Sequence, residues 1–195
     1  TPVIDALTKL IIFCSKSAEP DPFKREGIPY PNRQQILRER KVIDLVMAIL
    51  RLPFEKKYLK SHNLEEPQFK SFLTIFRLCY CLIRQACRNN LANGLYMSNY
   101  IDFIQSQLDY NIGGEEALLN ILTDNMDLLQ QITGEQISYF VNLLNKMSFK
   151  SARHLEFLST ICSCYTKAVA ANQDAIVKLL VNPTSNVRSL LPIPY

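Results

Sequence analysis

Apolar side chains recur three and four residues apart along nearly the whole sequence, and no run alternates apolar with polar residues between hairpin turns. A chain patterned in this way buries its apolar surface by laying helix against helix, so the expected class is all-α. With 195 residues, 48% of them hydrophobic, there is material for one cored domain or a short array of helical repeats. No apolar stretch approaches the roughly 20 residues needed to cross a bilayer, so this segment is not expected in a membrane.

The periodicity predicts a first helix over residues 3–17, with Leu7, Leu10, Ile11 and Cys14 inward, stopped by Glu19-Pro20-Asp21-Pro22. The loop that follows, up to Pro31, is expected to be exposed and mobile. A second helix over 33–52 places Ile36, Ile43, Met47 and Leu50 on one stripe before Pro53 closes it. The third, 67–88, leaves only a narrow polar strip and should be central. After Asn89-Asn90, shorter helices are predicted over 97–108, 115–124 and 126–132. Thr133 and Gln136 form a capping box opening a helix to about Met147, and the last pair covers 152–171 and, capped by Asn172, 173–181. Seven to nine helices grouped at roughly forty residues point to armadillo-like stacked repeats in a single domain of residues 1–195, although no strict sequence repeat accompanies the spacing.

Charge is divided along the chain. Residues 1–88 carry sixteen Lys/Arg against nine Asp/Glu, residues 89–145 carry seven acids and no Lys or Arg, and residues 146–195 carry six Lys/Arg against two acids. Opposed blocks of this kind orient docking more than they stabilise a fold. On the polar strip of the third helix, Arg77, Arg84 and Arg88 fall along one edge and are candidate interdomain contacts.

Catalytic chemistry finds no support in the residues. Neither His62 nor His154 stands in the context of a nucleophile and an orienting acid, and no phosphate loop, dinucleotide fingerprint or EF-hand spacing occurs. Five glycines among 195 residues also argue against a nucleotide-binding fold. Six cysteines in largely helical, apolar surroundings fit buried thiols in a reducing compartment, and Cys-x-Cys on a helix points its sulfurs ~200° apart, away from shared chelation. No cofactor or metal is expected. Nucleic acid is not an expected partner either, since the basic excess is modest and Phe69, Phe72 and Phe76 are read as buried. The opening at Thr1 and the apolar ending Leu190–Tyr195 lead us to expect a module of a larger protein.

The segment Asn32-Arg33-Gln34-Gln35-Ile36-Leu37-Arg38-Glu39, followed by an amphipathic helix ending Pro53-Phe54, resembles the helical homology domain shared by inositol trisphosphate receptors and ryanodine receptors. Arg77-Leu78-Cys79-Tyr80, Leu158–Cys162, Asn172–Ile176 and Asn182-Pro183-Thr184 extend the resemblance over about residues 32–184. It implies an armadillo-like domain on the cytosolic face of the endoplasmic reticulum, part of a tetrameric calcium release channel, whose partners are other cytosolic domains and subunits of that channel. In the trisphosphate receptors this domain forms half of a ligand cleft. Carried over by position, Arg38 matches one phosphate-contacting arginine and Arg33 a second across a short gap. Gln35 stands where the receptors place a lysine, and Asn90-Leu91-Ala92 where they place a Tyr-Arg-Lys run. High-affinity trisphosphate binding is therefore not expected, and the stretch from Arg88 to Phe103 is closer to the ryanodine receptor version. The leading expectation is a regulatory module that couples domain movements. The alternatives are an anion-binding receptor domain, with Arg33, Arg38 and Arg40 holding a phosphorylated small ligand weakly, and an armadillo-type adaptor.

Overall fold

The computed structural model describes residues 1–55, 66, 69–146 and 152–181. The class is all-α, with only two-residue strands among the described residues. The chain divides into two compact units, residues 1–121 and 122–195.

In the first unit, α1 (Pro2–Cys14) starts with proline at its first position and Thr1 Oγ1 accepting from the Ile4 N–H at 3.5 Å, and it buries Leu7, Ile11 and Cys14. The expected helix over 33–52 is two helices, α2 (Pro31–Glu39) and α3 (Val42–Glu55). Lys41 breaks them with φ of 59°, a left-handed conformation that a lysine adopts only when something else holds it. Its Nζ donates to the Tyr96 hydroxyl at 2.9 Å. Ile36, read as inward, is 44% exposed on α2. Pro53 lies inside the last turns of α3, and Phe54 beyond it stacks on Tyr110 with centroids 5.3 Å apart.

Helix α4 (Lys70–Cys87) is central, as its sequence implies: it packs against α1, α2 and α3 and buries ten residues between Phe76 and Cys87. Toward its start, Phe72 is 44% exposed and Phe69 half-buried, so of the three phenylalanines read as buried only Phe76 is. Asn89 reverses the chain at φ 54°, and Asn90 caps α5 (Leu91–Tyr96). The single helix expected over 97–108 is α6 (Ile101–Ser106) flanked by 3-10 turns at Met97–Tyr100 and Leu108–Tyr110. Helix α7 (Gly114–Leu122) follows, entered through Asn111 and Gly113, both left-handed.

In the second unit, α8 (Met126–Leu129) is followed by α9 (Gly134–Lys146), α10 (Ala152–Cys162) and α11 (Ala170–Val181), the last three packed on one another. The helix expected over 152–171 stops at Cys162. There β1 (Ser163–Cys164) pairs with β2 (Lys167–Ala168) around Tyr165, whose φ is 51° and whose N–H donates to Asp124 Oδ1 at 2.7 Å. Asn172 lies inside α11 and is buried, so it acts as a cross-brace instead of a cap.

A similar pairing occurs earlier in the chain, Ser15–Lys16 against Ile28–Pro29, and it closes residues 17–27 into a compact loop. Gly27 is required by close approach: a Cβ there would run into the Lys16 carbonyl.

Candidate docking and anion sites

The loop 17–27, expected to be mobile, is fastened to α4. Cys81 Sγ donates to Pro22 O (3.0 Å), Arg84 Nη2 to Phe23 O (3.3 Å), Gln85 Nε2 to Arg25 O (2.7 Å) and Arg88 Nη2 to Gly27 O. These donors sit at i, i+3, i+4 and i+7, one face of the helix. From inside the loop Arg25, 5% exposed, turns back and donates to Glu19 O and, at 2.8 Å, to Ser15 O. Burial, with Arg84 close by, lowers the Arg88 pKa from its ordinary value.

The arginine stripe is thus divided in use. Arg84 and Arg88 hold the loop, and Arg84 Nη1 also reaches Glu116 Oε2 on α7 at 3.2 Å. Arg77 is exposed and makes no ion pair or hydrogen bond among the described residues. It stands on the rim of a cleft of about 280 Å³ lined also by Phe23, Tyr80, Cys81, Arg84 and, from the entry to α7, Asn111 to Gly113 and Glu116.

The arginines of α2 do not converge. At ~100° per residue Arg33 and Arg40 share one side, while Arg38 lies roughly 140° around from Arg33, across the stripe that buries Gln34 and Leu37. Arg33 packs over the rings of Tyr30 (4.3 Å) and Phe13 (4.9 Å) and donates to Phe13 O at 3.2 Å. Arg40 is exposed. Arg38 donates to Asn93 Oδ1 on α5 at 2.6 Å.

Behind Arg38 is a buried polar hub whose members the sequence reading did not single out. Gln34 Nε2 donates to Gln85 O (2.7 Å) and Arg88 O (2.9 Å), and Asn93 Nδ2 donates to Gln34 O (3.0 Å) and Ala86 O (2.8 Å). Asn90 Nδ2 donates to Gln34 Oε1 at 3.1 Å. The signal was present as amides at inward helical positions: Gln34 three residues before Leu37, and Gln85 three residues after Leu82. Beside the hub, Tyr96 and Tyr100 donate to the Asp44 carboxylate at 2.7 and 2.8 Å. Desolvation pushes that carboxyl up, but the tyrosine hydroxyls and the Lys41 charge together bring it below its ordinary value.

The RIH domain family matches residues 4–191. The chain belongs to that family. Among curated relatives of this RIH domain, an inositol 1,4,5-trisphosphate receptor-like protein A of Dictyostelium discoideum is 26% identical over 187 residues, covering 93% of the chain and 5% of the relative. The inositol 1,4,5-trisphosphate receptor itr-1 of Caenorhabditis elegans is 26% identical over 190 residues, covering 89% of the chain and 6% of the relative. The RIH domain thus spans about a twentieth of the length of these relatives, and no described helix is long and apolar enough to cross a membrane.

On the side of this RIH domain where α2 faces α5, Gln35 Nε2 donates to Glu39 Oε1 at 2.6 Å and Leu91 is 50% exposed. Asn90 accepts the Asn93 N–H at 3.0 Å, as the cap of α5. The cations described against α5 are Arg38 and, at the break after α2, Lys41 on Tyr96, with the acid Glu39 on the same short helix as Arg38.

Proposed function

We propose that this chain is a regulatory and structural module of an intracellular calcium release channel of the endoplasmic reticulum. It passes movement between cytosolic domains and subunits of a homotetramer and performs no catalysis. Family membership supports the channel. The observation within the molecule that favours transmission is the hub joining α2, α4, α5 and the loop 17–27, because a block tied by buried, directional bonds moves as a unit. The test is single-channel recording of the full-length protein with Gln85→Met, which keeps side-chain volume and removes the bond to Arg25 O. A several-fold change in open probability, with the tetramer intact, is expected. Unaltered gating would remove the coupling role.

A second reading, half of an anion-receptor cleft, draws on Arg38, which Asn93 holds in place beside α5. Three positions that are cationic in the receptors, by the resemblance, are Gln35, Leu91 and Ala92 here. Each missing charge-assisted contact is worth roughly 1.5 to 3 kcal/mol, and ~1.4 kcal/mol is a tenfold change in affinity. Calorimetry on the full-length channel should therefore show inositol trisphosphate binding weaker than micromolar. The combined Gln35→Lys, Leu91→Arg and Ala92→Lys variant should bind at least about a thousandfold tighter. Micromolar binding by the unaltered chain would favour the receptor reading.

A further inference from the structure

The cleft between α4, Phe23 and the entry to α7 has a use that the internal bonds leave open. Resting on the channel reading above, we propose that it is a docking seat for an acidic segment, a carboxylate beside an apolar side chain, supplied by another part of the same channel. The cleft has two kinds of wall. Arg77 and Arg84 stand on α4, while the ring of Phe23, 43% exposed, gives it apolar surface above the buried Tyr80, Cys81 and Ile112.

Arg84 already shows how this wall receives a carboxylate, in its pairing with Glu116. Arg77 lies seven residues earlier, about 10 Å along the helix, so a second carboxylate can pair there without displacing the first. Its guanidinium has no ion pair or hydrogen bond among the described residues. The exposed ring of Phe23 then takes the neighbouring side chain.

Charge and size select this occupant over a polyphosphate. Glu116 lines the cleft, so a polyanion filling the space would meet its carboxylate. A single carboxylate at the Arg77 end does not. The volume, about 280 Å³, lies just below the range typical of small-molecule sites and suits one or two side chains. The matched relatives are many times longer than this chain, so further segments of such a channel are available to fill it.

The test uses Arg77→Lys in the full-length channel in its membrane, where a zero-length carbodiimide joins the new amine to any carboxylate in contact. Mass spectrometry should find position 77 bonded to an Asp or Glu beside an apolar residue outside residues 1–195. The yield should fall at least fivefold in Phe23→Ala, which removes the ring and leaves the backbone carbonyl that Arg84 holds; Arg77→Gln is the blank. Absence of such a product, an unchanged yield in Phe23→Ala, or its loss when inorganic phosphate replaces chloride at constant ionic strength would each overturn the proposal, the last by marking a small-anion site. The outcome is separable from the gating test. A cross-link in a channel whose gating ignores Gln85→Met keeps the seat and removes the coupling role, and altered gating without a cross-link does the reverse.

Discussion

Asn93 and Asn172 perform the same task in the two units. Each uses both amide hydrogens: Asn93 on Gln34 O and Ala86 O, Asn172 on Leu129 O (2.9 Å) and Ile161 O (2.9 Å). One carbonyl in each pair belongs to the last turn of a long helix, α4 or α10, where carbonyls lack intrahelical donors. Asn93→Ala leaves the Ala86 carbonyl unpaired, because Gln34 O keeps its place in the ladder of α2, and Asn172→Ala leaves the Leu129 and Ile161 carbonyls unpaired. At about 1 to 3 kcal/mol for each buried acceptor, calorimetric melting should record the larger loss in Asn172→Ala. Thiols set a second expectation at this scale. Burial pushes Cys14, Cys79 and Cys87 up to about 12 from an ordinary value of 9.0. A raised native pKa means the unfolded chain loses its protons first, so stability is level below pH 9 and falls between about 9 and 12 as unfolded thiolates form. Each thiol contributes a slope of ~1.4 kcal/mol per pH unit, which denaturant titration across that range measures. The same three thiols should resist alkylation at pH 8 until the chain unfolds.

At the scale of elements, what the sequence made legible depended on local chemistry. The capping box is an example: the Thr133 N–H donates to Gln136 Oε1 at 3.0 Å and the Gln136 N–H to Thr133 Oγ1 at 3.2 Å, as read from two residues. Thr133→Ala should cost about 1 kcal/mol of stability, again by melting. The breaks at Lys41 and Tyr165 were not legible, because neither residue type signals a left-handed turn. Distant partners hold them there, the Tyr96 hydroxyl in one case and the Asp124 carboxylate in the other. The loop 17–27 is exposed or half-buried apart from Arg25, as its prolines and charges imply, but its fastening is not legible in its own residues, because the donors lie some sixty residues away on α4. Trypsin should cleave slowly after Lys24 and Arg25 in the intact chain. It should cut many times faster in Gln85→Met or Arg88→Met, with the time course of the fragments as the readout.

For the whole molecule, helical periodicity made the class legible and ordered motifs made the family legible. Residue roles were harder, because an arginine reads alike whether it faces solvent, a carbonyl or a carboxylate. Of the stripe, Arg77 is exposed on a cleft, Arg84 is split between a carboxylate and the loop, and Arg88 is committed to the loop. Of the α2 set, Arg33 and Arg38 each have an internal partner and Arg40 is exposed. The four donors on α4 also carry a mechanical consequence. Sliding that helix one turn past the loop would break all four bonds at once, so the two parts hold their register together. On the coupling role proposed above, a push delivered to the loop would pass directly to α4.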